Sequence, residues 1–576
     1  MKKIRILVCC FLVFTTLQAQ KSLSQDFDYS ISEPYQVYDA AKKFYFSQEN
    51  EILTVKPWRK YIVIQKFNVD DLSLISSKEY LDFPDNYVVE GMEEVGGRYY
   101  FFYSSWTGRK TQHEQLFFWE IDFEKGEFIG EPKKLIDFSG HLAGGPGVAL
   151  LNIPGWQGIT GMFGVVDKFD FLKSKDGSKL LAHYRKKPEV KRDTKSYDVI
   201  GINVYDSNLN KLWAKEYKMP YTERRMDALD FAVDSNGDGY MLVKVFHDDS
   251  NDDKKRKKDE EANYHIELFR LLQGDNEIEI TKIEVEDKYI NGISLFESPE
   301  GFIICAGFYN SGLKNGFFSN ATSKFQLSNS DGLFTFKVTR DGELIDKHYY
   351  EIPLEILNQY VSDRTKRKNE KKEKDDEVEF KYLRLNDLIV KADGSLVLVG
   401  EQKYVIRHTT SKGVVYYTYH YNDMLIAKIG SSGELAWMKK LPKIQYGKPK
   451  IGQVFDYSKI YKGGMSYSYL FADNAHYLLF LDNVKNIDLE LNQRPALHSD
   501  GHGGYLTAYK IDDLTGDVAK DNIFDTRNVT DDLEVHQFSV DRVIKTKENE
   551  FVLEFYKKKK EDILIKVKVK TGQDSK

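Results

Sequence analysis

Eight similar segments recur along this chain, and the eighth ends almost at the C-terminus. In each segment apolar and polar residues alternate and then run into a tight turn rich in Asp, Asn and Gly. Alternation of period two is typical of a half-buried β-strand, and those turn residues suit the positive φ of tight hairpins. The chain is therefore predicted to consist of repeated β-sheet units. The segments are Tyr61–Asp71, Gln115–Gly126, Tyr197–Asn208, Tyr264–Asn276, Gly332–Gly342, Asp423–Gly433, Gly504–Gly516 and Asp562–Gly572.

The truncated last copy predicts how the units are arranged. A further short strand follows every earlier segment, whereas only Gln573–Lys576 follows the eighth. The stretch Asp28–Tyr38 precedes the strands of the first copy and carries the apolar residues Tyr29, Ile31 and Val37. Pairing this stretch with the last unit would satisfy two otherwise open sheet edges. We therefore predict a closed ring whose leading segment supplies the missing outer strand.

The predicted fold is all-β, a single β-propeller of eight four-stranded blades. A short first strand and a more apolar second strand recur before each segment, and the aromatic content of 14 % suits many half-buried strands. The spacing between units varies too widely for a solenoid, whereas radial blades tolerate long loops. Stacked sandwiches would leave the truncated copy unexplained. Seven blades remain open if the copy Ala41–Asp71 is an edge addition.

The segment Asp423–Trp437, which reads DMLIAKIGSSGELAW, shows the repeat clearly. It resembles the β-propeller repeats found in many exported bacterial proteins, and the likeness extends loosely over nearly all of the mature chain. The resemblance implies the fold and no particular activity, because those families share none.

The N-terminus has the three parts of a secretory signal peptide. Basic residues precede the apolar run Ile6–Leu17, and Ala19 offers the cleavage site. The run is shorter than the ~20 residues that span a bilayer, which argues against a membrane anchor. We expect a protein exported to the periplasm or the outer-membrane periphery, with no transmembrane segment after signal removal. The predicted divisions are a signal peptide (1–19), a short linker (20–27), the propeller (28–572) and a tail (573–576).

Cysteine usage leaves the mature chain without an intramolecular disulfide. Cys9 and Cys10 leave with the signal peptide, and lipid attachment at Cys10 stays open, although no small residue precedes it. Cys305 remains in an apolar strand, where a small buried hydrophobe is expected. Such an exported protein must hold together through its core and through ring closure.

The long connections fall at two positions of the repeat only. They join second to third strands or one blade to the next, and in a meandering blade both positions lie on the same side of the ring. Insertions collected on one face of a repeat protein often mark its binding surface, although free drift of loop length gives the same pattern. The connections are Asp248–Asn263, Asn310–Asp331, Lys403–Asn422, Asn483–Gly503, Ser139–Gly161 and Leu354–Lys381.

Two charged runs carry equal numbers of acidic and basic residues, five of each in Asp252–Glu261 and seven of each in Asp363–Glu379. Such runs are expected to be solvated, flexible loop tips. Leu354, Leu357 and Val361 have helical spacing just before the second run, which predicts a short helix there. The net charge of −6 lacks the sustained basic excess of a nucleic-acid site, so nucleic acid is not an expected partner.

One short loop has weak metal-ligand character. His498, Asp500 and His502 alternate in the Gly-rich sequence HSDGHGG, which would present two imidazoles and a carboxylate to one ion. Nothing in the sequence supplies a convincing fourth ligand, so a polar turn is the favoured interpretation. No metal site is therefore predicted.

A second motif bears on cofactors. The segment Asp512–Gly516 looks like part of the tryptophan-docking repeat of quinone-cofactor propeller dehydrogenases, but no tryptophan follows it. Trp213 and Trp437 occupy comparable positions in other copies and are interpreted as packing between blades. We therefore predict no cofactor and no catalytic residue.

These features together favour a non-enzymatic function, although the sequence leaves catalysis open. The leading hypothesis is an exported binding or scaffold subunit that engages an envelope or outer-membrane protein complex through the face with the long loops. The alternative is a glycan- or peptide-processing enzyme with its site at the mouth of the propeller channel. The sequence leaves the oligomeric state undetermined.

Overall fold

The chain forms an eight-bladed β-propeller, seen in a computed structural model. Each blade is built on four antiparallel strands, so the predicted all-β ring of four-stranded blades is confirmed. The structure describes residues 23–38, 40, 42–58, 61–81, 83–84, 87–143, 168–187, 195–250, 262–283, 288–310, 329–373, 378–413, 415–447, 464–499, 503–536, 538–557 and 561–570.

The first half of the ring contains two short N-terminal strands and blades one to four. The N-terminal strands are β1 (Phe27–Ile31) and β2 (Tyr35–Gln36). Blade one comprises β3 (Phe44–Gln48), β4 (Glu51–Trp58), β5 (Tyr61–Asn68) and β6 (Leu74–Tyr80), and blade two comprises β7 (Val88–Val95), β8 (Arg98–Trp106), β9 (His113–Asp122), β10 (Glu127–Phe128) and β11 (Lys133–Ser139). Blade three comprises β12 (Asp170–Lys173), β13 (Lys179–Arg185), β14 (Tyr197–Asp206) and β15 (Lys211–Thr222). Blade four comprises β16 (Met226–Val233), β17 (Gly239–Phe246), β18 (Tyr264–Leu271) and β19 (Glu279–Ile283).

Blades five to eight complete the ring. Blade five comprises β20 (Tyr289–Glu297), β21 (Ile303–Asn310), β22 (Gly332–Val338) and β23 (Leu344–Glu351). Blade six comprises β24 (Leu383–Val390), β25 (Leu396–Thr409), β26 (Val415–Ile429), β27 (Leu435–Leu441) and β28 (Gln445–Gly447), and blade seven comprises β29 (Ser468–Ala472), β30 (Ala475–Asp482), β32 (Tyr505–Asp512) and β33 (Val518–Asp525). The short β31 (His498–Ser499) follows β30 in sequence but pairs with β28 of blade six, and blade eight comprises β34 (Val535–His536), β35 (Val543–Lys545), β36 (Glu550–Lys557) and β37 (Glu561–Val569).

Ring closure joins the N-terminal segment to the last blade. Strand β1 pairs antiparallel with β37, with Ile31 opposite Ile565. The prediction that this segment supplies the missing outer strand is confirmed. Because β3–β6 form a complete blade, there are eight blades rather than seven. The predicted stretch is interrupted near Pro34, which has no N–H to donate to a sheet, and Val37 lies beyond both N-terminal strands.

The core lies between neighbouring blades, where apolar side chains of the middle strands meet. All eight residues of β21 are buried, and Cys305 among them shares a core cluster with Leu242 and Leu268 of the preceding blade. Burial raises the pKa of the Cys305 thiol well above its usual value. The expectation that this cysteine is a small buried hydrophobe is confirmed.

Tryptophans of fourth strands dock onto the next blade. The indole N–H of Trp213 donates to the Gly237 carbonyl at 2.8 Å, and that of Trp437 donates to the Asp513 carbonyl at 3.1 Å. Gly516 lies under the second indole, where a Cβ would come within 2.6 Å of the ring. The interpretation of both tryptophans as packing between blades is confirmed.

His183 is a titratable side chain inside this inter-blade core. It lies on β13, is 1 % exposed, and stacks on Phe231 of the next blade with ring centroids 4.1 Å apart. Burial lowers the pKa of His183 to about 3, so the imidazole is neutral in the folded protein near neutral pH.

We expect this buried imidazole to weaken the fold in acid. Below pH 6.5 the unfolded chain binds a proton at His183 that the folded protein does not bind. The free energy of unfolding therefore decreases as the pH is lowered from 6.5 to about 3. The slope from this one group approaches about 1.4 kcal/mol per pH unit. In His183→Leu that part of the slope should vanish, as measured by urea unfolding across this pH range. The control is His113→Leu, at a side chain that is 39 % exposed, which should keep the part of the slope that comes from His183. An unchanged slope in His183→Leu would contradict the assignment of that part of the slope to His183.

The two sides of the ring differ in their connections. On one side, the turn face, short turns join first to second strands and third to fourth strands. On the other side, the loop face, lie the connections from second to third strands and between blades, and the long described connections lie there. One predicted loop, Lys403–Asn422, is wrong: β25 and β26 continue through it as a single hairpin. Aromatic and polar residues alternate over Tyr417–Asn422, as expected for a strand.

The helices of the described residues are few and short. The predicted helix before the second charged run is present as α1 (Leu354–Leu357), but it ends at Leu357 and does not reach Val361. Helix α2 (Asp363–Glu373) follows it. Three single-turn 3-10 helices span Glu223–Arg225, Val484–Asn486 and Val540–Arg542. Within the described ranges, no helix has the length and apolar character needed to cross a membrane. The predicted signal peptide lies outside those ranges.

Candidate functional site

The longest hairpin of the ring projects from blade six on the loop face. Its strands β25 and β26 have 14 and 15 residues, whereas the other described second and third strands have at most ten. The first strand of the blade pairs only as far as Gln402, but the hairpin stays paired to Thr409 and Val415. The extra residues extend about 20 Å beyond that pairing. The blade therefore carries a rigid projection where a loop was expected.

One face of this projection is lined by aromatic rings. Alternation places Tyr404 opposite His420 and His408 opposite Tyr416, and each pair is stacked, with centroids 4.5 and 4.8 Å apart. Tyr382, at the start of the blade, packs against Tyr404 at 4.8 Å. All five rings are partly exposed. We name the set Tyr382, Tyr404, Ile406, His408, Tyr416 and His420 the aromatic ladder.

The two imidazole rings of the ladder are hydrogen-bonded to one hydroxyl group. Thr418 Oγ1 lies 2.9 Å from His408 Nε2 and 3.1 Å from His420 Nε2. A hydroxyl has a single proton, so it donates to one imidazole and accepts from the other. Partial burial, with a smaller effect of His408, lowers the pKa of His420. Burial therefore disfavours the protonated form of the His420 ring.

A buried polar network fixes the base of the hairpin. Lys443 Nζ lies 2.5 Å from Glu401 Oε1 and 3.0 Å from Gln445 Oε1, and the Ser466 hydroxyl donates to Glu401 at 2.7 Å. Burial alone would raise the pKa of Glu401, but Lys443 and the nearby Lys403 lower it. Because both charges of the Glu401–Lys443 pair are paired and hydrogen-bonded, the base of the hairpin is held rigidly.

A second buried ionic cluster joins the last blade to the first. Glu554 accepts hydrogen bonds from Lys43 at 2.6 Å, from Lys56 at 2.5 Å and from the Tyr35 hydroxyl at 2.8 Å, and Asp562 lies 3.1 Å from Lys43. Burial would raise the pKa of Glu554, but the two lysines lower it well below its usual value. Burial and the neighbouring Glu554 raise the pKa of Asp562 to about 6. The side chains of Lys56 and both acids are fully buried, so the cluster supports ring closure.

The weak metal candidates are only partly placed. His498 forms β31 beside Gln445 in parallel pairing and is buried, whereas Asp500 and His502 lie outside the described residues. In the parts of the chain that the structure describes, no three His, Cys, Asp or Glu side chains come together as a metal site. The ladder was missed by sequence reasoning. The alternation of aromatic and polar residues over Tyr417–Asn422, which includes His420, was a signal for its second strand.

No family model and no curated protein match this chain. Similar solved structures include the WD40 domain of SCAP from fission yeast, with 6 % identity and a TM-score of 0.36 over 95 % of this chain and 98 % of that one. A protein of unknown function from Dyadobacter fermentans has 8 % identity and a TM-score of 0.29 over 95 % of this chain and all of the other. A prolyl endopeptidase has 9 % identity and a TM-score of 0.35 over 92 % of this chain, which spans 55 % of that protein. These similarities concern the fold alone.

Proposed function

We propose that this protein is an exported, non-enzymatic binding or scaffold subunit that engages an envelope or outer-membrane protein through its loop face. Export is proposed from the signal peptide that the sequence predicts. The observation that carries the binding role is the aromatic ladder on the projecting hairpin. The ladder supplies a defined contact surface on the face that also carries the longest connections.

The ladder has the composition and the order of a protein-binding surface. Tyrosine is enriched in interfaces because its ring offers a large contact area with few rotatable bonds. Rings already stacked on each other lose little side-chain entropy when a partner binds. Ile406, 40 % exposed between the stacked pairs, adds an apolar centre.

The buried carboxylates also favour a structural role over a catalytic one. Glu401 and Glu554 have fully buried side chains whose oxygens are engaged by lysines and by hydroxyl groups. A general acid or base must reach its substrate within hydrogen-bonding distance. Both carboxylates lie in the interior of the blades, where their contribution is to the stability of the ring.

A photo-crosslinking residue at Ile406 tests this proposal in the native host. We expect a discrete covalent product with one envelope protein, because Ile406 lies at the centre of the ladder. The control places the same residue at Leu514, which is 85 % exposed on the turn face and should give no such product. Tyr404→Ala combined with Tyr416→Ala should reduce the Ile406 product about 30-fold, since central aromatic contacts are worth about 2 kcal/mol. Products from Leu514 alone, or none from Ile406, would contradict the proposal.

A further inference from the structure

Helix α2 places basic residues of a charged run on one side of a helix, although the run has equal numbers of acidic and basic residues. Asp363–Glu379 holds seven acidic and seven basic residues, and it was expected to be a loop tip. The structure instead forms a helix over Asp363–Glu373. In a helix, residues at i, i+3, i+4 and i+7 lie on one stripe. Four cations have this spacing, and we name them the basic stripe: Arg364, Arg367, Lys368 and Lys371.

The packing of α2 directs the basic stripe to solvent. The half-buried side of the helix carries Thr365 and Asn369, and the Asn369 amide donates to Asn358 Oδ1 at 2.8 Å, which ties α2 to the end of α1. Leu357 of α1 is buried in the core between blades five and six. All four stripe side chains are exposed, and within the described part of the chain the structure records no ion pair for any of them.

The basic stripe and the aromatic ladder belong to the same face of the ring. Helix α2 lies in the connection from blade five to blade six, which is a loop-face connection. The same connection ends at Tyr382, the first ring of the ladder, just before β24. A partner that covers the ladder therefore binds the face of the ring that also carries the exposed basic stripe.

We propose that the basic stripe binds a carboxylate-rich segment of the same protein partner, so this inference rests on the proposed function. Two arginines offer planar forks that pair bidentately with carboxylates, and arginine with tyrosine is the usual composition of energetic centres in interfaces. Unpaired charges of one sign also steer an oppositely charged partner during association.

An acidic protein segment fits better than a membrane surface. The sequence of α2, DRTKRKNEKKE, contains no large apolar side chain, so the helix has no face to insert among lipid chains. Attraction to anionic lipids would rest on about 1 kcal/mol for each cation near the surface, with no aromatic or apolar anchor on the helix. The ladder on the same face instead supplies the contact area that protein interfaces require.

Binding of a fluorescent oligoglutamate peptide to the full chain tests the basic stripe. Arg367→Glu combined with Lys371→Glu should weaken binding of the peptide at least about tenfold. Raising the salt concentration from about 50 to about 300 mM should also weaken binding of the peptide to the wild type. The control reverses two charges elsewhere, Lys366→Glu, off the stripe, and Lys125→Glu, whose side chain is 67 % exposed on the turn face. This control should bind within about twofold of the wild type.

Four outcomes would overturn the inference. Equal losses in the stripe and control variants would show a general charge effect. An unchanged affinity in the stripe variant would remove the stripe from binding. The third outcome uses phosphatidylcholine vesicles that contain about 30 % phosphatidylglycerol. If these vesicles bind the wild type but not the stripe variant, and the wild type does not bind the peptide, the stripe binds a membrane surface. Crosslinking at Ile406 separates the two proposals: if the product forms in wild type and is undiminished in the stripe variant, the proposed function stands and this inference fails.

Discussion

Replacing Lys56 by methionine is expected to lower the free energy of unfolding by about 3–5 kcal/mol. Lys56 Nζ lies 2.5 Å from Glu554 Oε2 and 5.0 Å from the centre of the Tyr35 ring, and the side chains of both ions are fully buried. Methionine fills a similar volume without charge, so Glu554 would keep its negative charge in the interior with one partner fewer. Because Lys56 is on the first blade and Glu554 on the last, the loss falls on ring closure. Urea unfolding followed by tryptophan fluorescence measures it.

Lys78→Met is the matched control for this prediction. Lys78 is also on the first blade and also pairs with a glutamate of a neighbouring blade, Glu127 at 2.7 Å, but those side chains are 39 % and 38 % exposed. Exposed pairs contribute about 0–1 kcal/mol, so the control should lose less than about 1 kcal/mol. Adding Glu554→Gln to Lys56→Met should recover part of the loss, because it removes the uncompensated buried charge. Equal losses for Lys56→Met and Lys78→Met would refute the role of burial.

Deletion of Asp28–Tyr38 is expected to lower the melting temperature steeply. The deletion removes most of β1 and all of β2, and it exposes the edge of β37. Tyr29 is 3 % exposed and its hydroxyl donates to the Val529 carbonyl at 2.7 Å. Burial of one such ring is worth about 1.5–3 kcal/mol, and each lost backbone hydrogen bond adds about 0.5–1.5 kcal/mol. Thermal unfolding of the mature protein with and without the segment measures the effect.

A point variant of β1 separates the effect of backbone pairing from the effect of side-chain identity. Asp28→Ala changes a side chain that is 64 % exposed on β1 and leaves the backbone pairing to Lys568 in place, so the melting temperature should stay within about 2 °C. A synthetic peptide of residues 23–38 should raise the melting temperature of the deleted protein when added in excess, because it binds only the folded state. An unchanged melting curve after deletion would mean that the ring is held closed by other contacts.

Most of the fold was open to reasoning from the sequence. Period-two alternation is a local signal that each strand carries by itself, so eight copies predicted eight blades. The absence of a strand after Asp562–Gly572 and the apolar residues Tyr29 and Ile31 at the other end then predicted the closure that β1 and β37 form. The same reasoning placed Trp213 and Trp437 between blades, because a large ring on an outer strand needs a neighbour to cover it.

The candidate site was less accessible from the sequence. By comparison with the long connections at equivalent positions, the sequence of Lys403–Asn422 predicts a loop, because only Tyr417–Asn422 within it shows the alternation of a strand. The run Asp363–Glu379 predicts a solvated tip because its charges sum to zero. Counting charges along the chain does not show on which side of a helix they lie.

The amino-acid pattern by itself determined most of the strands and the ring closure, since these follow from short-range alternation repeated at each unit. The structure decided that β3–β6 form a complete blade, which makes eight blades, and that Asp363–Glu373 is a helix, whose spacing creates the basic stripe. Tertiary structure alone decided which side chains face each other, as in the stacked rings Tyr404 and His420 and the buried ions Lys56 and Glu554. These pairs join residues that are apart in sequence, and they depend on register between strands and on packing between blades, which local alternation does not encode.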